Sequence, residues 1–102
     1  MKVNKVQDTP PKEGHAGSVM REVITDRDGA PNFAMRVIEV PAGASSPSHS
    51  HDWEHEVLIL SGHARVKGEK GESEITKDSV IYIAPNEHHC FENTGDEPLR
   101  FV

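Results

Sequence analysis

No apolar pattern in the chain runs long enough, or with the right period, to build a helix. What recurs is a short β-prone run stopped by a turn former. SVMREVIT (Ser18 to Thr25) alternates and is followed by Asp26, Asp28 and Gly29, while FAMRVIEV (Phe33 to Val40) stops at Pro41 and Gly43. EHEVLILSG ends at Gly62, HARVKG at Gly68 and SVIYIAP at Pro85; SEITKD carries one isoleucine, and PLRFV closes the sequence. β-Branched residues in short runs, broken about every eight to twelve residues, predict strands that pair antiparallel in a sandwich or barrel. Strands alternating with helices are excluded, so the fold class is all-β. Gln7 to Gly17 (QDTPPKEGHAG) has two prolines, two glycines and almost no apolar content. Such a stretch reads as an extended arm or loop. The division expected is an N-terminal arm over 1–17 and one β domain over 18–102, with the sequence leaving open whether the arm crosses to a partner subunit.

A chain of 102 residues has room for one core. With 34% hydrophobic residues and a mean hydropathy of -0.60, that core is small, and burial against a second copy would add stability, so a homodimer is expected. Eleven basic against seventeen acidic residues give a net charge of -6. That field repels phosphate backbones and anionic membrane surfaces, so neither nucleic acid nor membrane is an expected partner. The first residues lack the apolar core of a secretory signal, and the longest aliphatic runs, Val57 to Leu60 and Val80 to Ala84, are too short to span a bilayer. A cytoplasmic location is expected, in keeping with the single Cys90, which has no second cysteine to pair with.

Against this background PSHSHDWEHEVLILSG (Pro47 to Gly62) crowds His49, His51 and His55 against an aliphatic strand. In an extended chain residues two apart share a face, and the odd-numbered histidines continue into Val57 and Ile59. On that reading the imidazoles point into the barrel, and Glu54 and Glu56 point away. Grouped imidazoles in an apolar interior need either solvent or a divalent metal on their lone pairs. Further histidines stand at His88 and His89, past a turn at Pro85 and Asn86 in APNEHHCFEN.

Gly43 to Gly62 (GASSPSHSHDWEHEVLILSG) resembles the first motif of the cupin superfamily, G-x5-H-x-H-x3-4-E-x6-G, with Gly43, His49, His51 and Gly62 in place. Lys77 to Asn93 (KDSVIYIAPNEHHCFEN) is similar to the second motif through Pro85, His89 and Asn93. Motifs and linker together span half the chain. The resemblance implies a small single-domain cupin, an antiparallel β-barrel or jelly roll around one metal. The usual glutamate ligand falls on His55 when counted back from Gly62, and on Glu56 when four residues are allowed after His51. Parity favours His55. Small stand-alone cupins that share the W-E-H-E stretch use four histidines and no carboxylate, which implies His49, His51, His55 and His89 as ligands here. In the second motif Lys77 replaces a glycine and the glycine after the proline is missing, so the choice of His89 over His88 rests on the spacing to Asn93.

Four neutral imidazoles leave an ion its full charge, and nitrogen donors suit Mn, Fe, Co, Ni, Cu and Zn over Mg or Ca. An octahedral ion so held keeps two open positions, as an oxygenase or a metal-bound-water reaction requires. The function expected is that of a metal-dependent enzyme acting on a small organic molecule, oxygenase-like (a dioxygenase or other oxidoreductase, with manganese among the candidate ions), a lyase or isomerase being the other enzymatic options. A non-catalytic small-molecule binding or sensing module is the alternative. No catalytic acid or base is identifiable by spacing; Asp52, Glu54 and Glu56 are candidates for orienting the imidazoles. His63 is read as solvent-facing, His15 as a bystander in the arm, Cys90 as a packed small side chain and KGEKGESE (Lys67 to Glu74) as a solvated turn. Phe33, Met35, Val37 and Phe91 are read as core that also walls the cavity, and Trp53 as cover either for the site mouth or for a subunit boundary.

Overall fold

A computed structural model describes all of residues 1–102. Nine strands form in chain order: β1 (Lys12–Glu13), β2 (Val19–Ile24), β3 (Met35–Val40), β4 (His55–Ser61), β5 (His63–Gly68), β6 (Gly71–Thr76), β7 (Val80–Ile83), β8 (His89–Asn93) and β9 (Leu99–Phe101). Short 3-10 turns at Val6–Asp8, His15–Gly17 and Asp26–Asp28 are the only helical segments. None is long and apolar enough to cross a membrane.

The strands make a six-stranded sheet in the order β1-β2-β3-β9-β4-β7 and a three-stranded sheet β6-β5-β8, with every pairing antiparallel. This is a jelly roll, a container whose inner faces bury one core. Val40, Ile59 and Leu99 are fully enclosed, with Ala64, Ile75, Ile83, Phe91 and Phe101 around them. Phe91 of the small sheet stacks on Phe101 of the large one, ring centres 4.7 Å apart, so one aromatic pair closes the layers on each other. Asn93 ties the same junction with polar bonds: its Nδ2 donates to the Val40 and Glu97 carbonyls at 2.9 and 2.8 Å, and its Oδ1 accepts from Gly95 N–H at 2.9 Å. Gly62, in the turn between β4 and β5, has φ +96 and sits so close to the next strand that a Cβ there would meet the Pro98 carbonyl oxygen at 2.8 Å.

The turns fall where the glycines, prolines and aspartates predicted them, with two adjustments. Within Lys67 to Glu74 only Glu69 and Lys70 form the turn, and the flanking residues pair as the β5–β6 hairpin. Within residues 1–17, Lys12 and Glu13 pair with Met20 and Val19 at the edge of β2. Residues Lys2 to Thr9 lie over the outer side of β2 and β3, where Lys2 Nζ donates to the Val23 carbonyl at 3.1 Å and Arg21 donates to the Thr9 carbonyl.

The face assignment of β3 needs correction. Phe33 is 70% exposed and Met35 37% exposed, so neither walls the cavity. Val37 is buried, yet it lies on their outer side rather than in the core cluster. The inward residues are Arg36, Ile38 and Val40. Both sides of this strand carry apolar residues, so alternation alone could not say which side wins; residues 2–9 cover the outer one. Phe91 does line the core as expected.

Candidate metal centre

His49 and His89 stand directly opposite each other in an isolated antiparallel bridge, His49 N–H donating to the His89 carbonyl at 3.1 Å and His89 N–H to the His49 carbonyl at 2.9 Å. Ser46 secures this crossing by accepting from Phe91 N–H through its Oγ at 2.8 Å. Residues 45–49 therefore run beside β8 as an extra edge of the small sheet. The large sheet contributes His55, the first residue of β4, paired with Ile83. Two sheets thus carry the histidines to one place.

The path between them differs from an extended strand. Asp52 and Trp53 form a bend, so simple alternation does not connect His51 to His55. The bend returns the chain to the same side, leaving Glu54 and Glu56 exposed on the other face. Trp53, 53% exposed, lies flat on His51 with ring centres 4.5 Å apart and planes 11° apart. It covers the site from outside.

The four rings gather closely. Centre-to-centre separations are 4.5 Å for His49–His51, 4.8 Å for His49–His89, 5.2 Å for His51–His55, 5.5 Å for His55–His89 and 6.2 Å for His51–His89. Imidazoles sharing one ion at about 2.1 Å per nitrogen would have ring centres about 4.5 Å apart at right angles and about 6 Å apart when opposed. The observed spread is of that size. The set is gathered without being closed, since no three His, Cys, Asp or Glu side chains stand as a finished ligand group. The widest of these five, His51–His89, includes the ring stacked on Trp53, and His49 and His55 make no such close approach to each other.

Electrostatics and hydrogen bonding fit the same purpose. His55 Nε2 is buried with no hydrogen-bond partner, an orphaned lone pair or N–H of the kind that needs an explanation. His89 Nδ1–H donates to the Glu87 carbonyl at 2.9 Å, which fixes the tautomer and presents Nε2 as a lone pair. Desolvation, followed by neighbouring cations, holds His49 and His51 below the usual histidine range and takes His55 from 6.5 to about 4. Neutral rings are the ligating form.

His88, in the loop just before β8, is exposed, as are His63 and His15 elsewhere, while Cys90 alternates away from His89. The expected orienting role of Asp52, Glu54 and Glu56 finds no counterpart, because no carboxylate is hydrogen-bonded to any of the four rings and the single orienting bond comes from a backbone carbonyl. Glu54 instead sits beside Glu56 and Tyr82 on the outer face; desolvation and then Glu54 raise the Glu56 pKa. Sequence reasoning missed Arg36, whose charge is felt at His49, His51 and His55. Its only signal was its even parity with Ile38 and Val40. A cavity of about 170 Å³ lined by Val66, Gly68, Ile81, Ile83, Glu87 and His89 adjoins the cluster.

The family model for the cupin domain matches residues 36–102, about two thirds of the chain and all four gathered histidines. The chain is a cupin. Among solved structures, this cupin superimposes on the polyketide cyclase RemF from Streptomyces resistomycificus with a TM-score of 0.88 at 29% identity, covering 99% of this chain and 75% of RemF. The uncharacterized protein MJ1618 of Methanocaldococcus jannaschii is 30% identical over 84% of this chain and 70% of its own length. Mannose-1-phosphate guanylyltransferase RfbM of Salmonella typhimurium is 36% identical over 74% of this cupin, which spans only 16% of RfbM.

Proposed function

We propose that this cupin is a metal-dependent enzyme acting on a small organic molecule, with one divalent transition ion held by His49, His51, His55 and His89. The observation that carries the reading is the buried, unpartnered Nε2 of His55 inside a group of three further imidazoles. A bare imidazole cluster with no carboxylate has no internal way to satisfy its nitrogens, and a soft-to-borderline cation does so. Held by these four histidines, such an ion would supply Lewis-acid or oxidative chemistry to a small substrate.

The chain's own residues supply the rest. The Glu87 carbonyl keeps His89 in the ligating tautomer. Trp53 screens the His51 side from water, while Phe91, stacked on Phe101, forms the dry floor below His89. The adjoining cavity is smaller than the roughly 300–1,000 Å³ of pockets for drug-sized ligands, which favours a compact substrate. The likeness to RemF, a polyketide cyclase, supports a substrate bearing carbonyl oxygens.

The test is anaerobic loading with Mn(II), Fe(II), Cu(II) or Zn(II), elemental analysis, and oxygen-uptake and product assays over small carbonyl, enol and phenolic compounds. One ion per chain and a metal-dependent product are expected. Oxygen consumption coupled to that product marks the oxygenase-type reaction, and product without it marks carbonyl chemistry. Stoichiometric metal with tight ligand binding and no turnover would overturn the enzymatic reading in favour of a binding module.

A further inference from the structure

The protein has five arginines, and four are occupied. Arg27 pairs with Glu22, Arg65 with Glu72 and Glu74, and Arg100 with Glu39, while Arg21 donates to backbone carbonyls of the N-terminal segment. Arg36 has no carboxylate and no carbonyl. Its cross-strand neighbour is Glu22, but both oxygens of Glu22 are already taken, Oε1 by Lys12 Nζ at 2.6 Å and Oε2 by Arg27 at 2.7 Å. Even so, Arg36 is half-buried and on the inward side of β3, in line with Ile38 and Val40.

The sheet order places it with respect to the histidines. β3 and β4 flank β9, and Phe101 pairs with Ile38 on one side and Ile59 on the other. Two residues back along each strand, Arg36 comes level with Val57, one inward position from His55. Two strand spacings, about 10 Å, separate the backbones, and an extended arginine covers most of that distance from the inner face.

A guanidinium that is partly desolvated on the inner face of the sheet that also carries His55 adds positive charge to that face, and an ion on the imidazoles would add more. Buried charge of one sign calls for a counter-charge. Glu22, directly opposite on β2, is one carboxylate facing Lys12, Arg27 and Arg36, so positive charge stays in excess there and the Arg36 fork is left for an anion from outside. Arginine's planar fork matches a carboxylate through two parallel N–H bonds, which a lysine ammonium does not reproduce.

We infer that Arg36 is the substrate-recognition residue of this cupin and that the substrate is a small carboxylate, its acid group on the Arg36 fork and a neighbouring oxygen directed at the histidine cluster. The inference rests on the four-histidine reading above and deepens it by naming the substrate class.

The test compares glycolate with its neutral analogue glycolamide, titrated by calorimetry into metal-loaded wild-type protein, Arg36→Gln and Arg36→Lys, after elemental analysis of each. Metal uptake of one ion per chain is expected in all three, which also shows that the variants fold. Wild-type protein should prefer glycolate, and the glycolate-to-glycolamide affinity ratio should fall at least about tenfold in Arg36→Gln, the size expected for losing hydrogen bonds to a charged group. Arg36→Lys should fall between them. An unchanged ratio in Arg36→Gln, or a wild-type protein that does not favour glycolate, with metal uptake intact, would overturn the role of Arg36 and leave the metal centre standing. Failure of wild-type protein to take up metal would remove both.

Discussion

Asn93 lies 3% exposed where β8, which starts at His89, meets the end of β3 and the turn into β9. Replacing it with alanine deletes the bonds to the Val40 and Glu97 carbonyls and to Gly95 N–H, each 2.8 to 2.9 Å long and well formed. A buried intramolecular hydrogen bond contributes about 1 kcal/mol net, and a buried group left without a partner costs about 1–3 kcal/mol. Three bonds lost therefore predict about 3 kcal/mol of destabilisation, rising towards about 5 kcal/mol if the Val40 carbonyl, beside a fully enclosed side chain, stays dry. Against a total stability of about 5–15 kcal/mol for a domain of ordinary size that is a large fraction. Urea unfolding of metal-free protein, followed by Trp53 fluorescence and by circular dichroism, should show the midpoint falling by about 1 M or more with an unchanged slope. Working without metal keeps ligand binding out of the comparison. Asn93→Asp makes the test sharper. It keeps the shape but turns an oxygen towards two carbonyls in place of the amide donors, so it should be at least as unstable as Asn93→Ala. If Asn93→Ala falls within about 0.5 kcal/mol of wild type, or Asn93→Asp matches wild type, the donor-centred account of this junction is refuted.

His55→Ala and His89→Ala should each lose stoichiometric metal by elemental analysis, while His63→Ala and Glu56→Ala, which alter exposed side chains, keep it; loss in Glu56→Ala with retention in His55→Ala would reverse the ligand assignment. The metal-free protein should be acid-labile. His55 titrates near 6.5 when unfolded and at about 4 when folded, so between those values the unfolded chain binds more protons, and stability falls as pH drops through that window and is flat above it. Urea midpoints across pH 4 to 8 check this, and a midpoint that rises on acidification would contradict it. Gly62→Ala should cost about 1–3 kcal/mol or more, because φ is +96 and the new Cβ would press on the Pro98 carbonyl and on Leu99 Cα at 3.0 Å; thermal melts read the loss, and an alanine variant as stable as wild type would mean the turn can move.

The strand rhythm was legible because its punctuation is chemical: Gly29, Gly43, Gly62 and Asn86 all take positive φ, a conformation that other residues avoid. Lys12–Glu13 carries no such mark, since backbone pairing to β2 alone makes it a strand. The facing of the histidines was legible for a reason only partly valid, because the bend at Asp52 and Trp53 supplies what unbroken alternation was assumed to supply. The facing of β3 was not legible. Phe33, Met35 and Val37 alternate with Arg36, Ile38 and Val40, and an arginine among hydrophobics argues for the first set as core. Two distant facts decide otherwise: residues 2–9 cover the outer side, and β9 inserts between β3 and β4 so that Ile38 and Ile59 share Phe101. Both are long-range contacts with no local trace. The same two facts turn Arg36 inward with Glu22 already engaged elsewhere, so the topology that hid this cation from a linear reading is also what leaves its fork free to meet an anion.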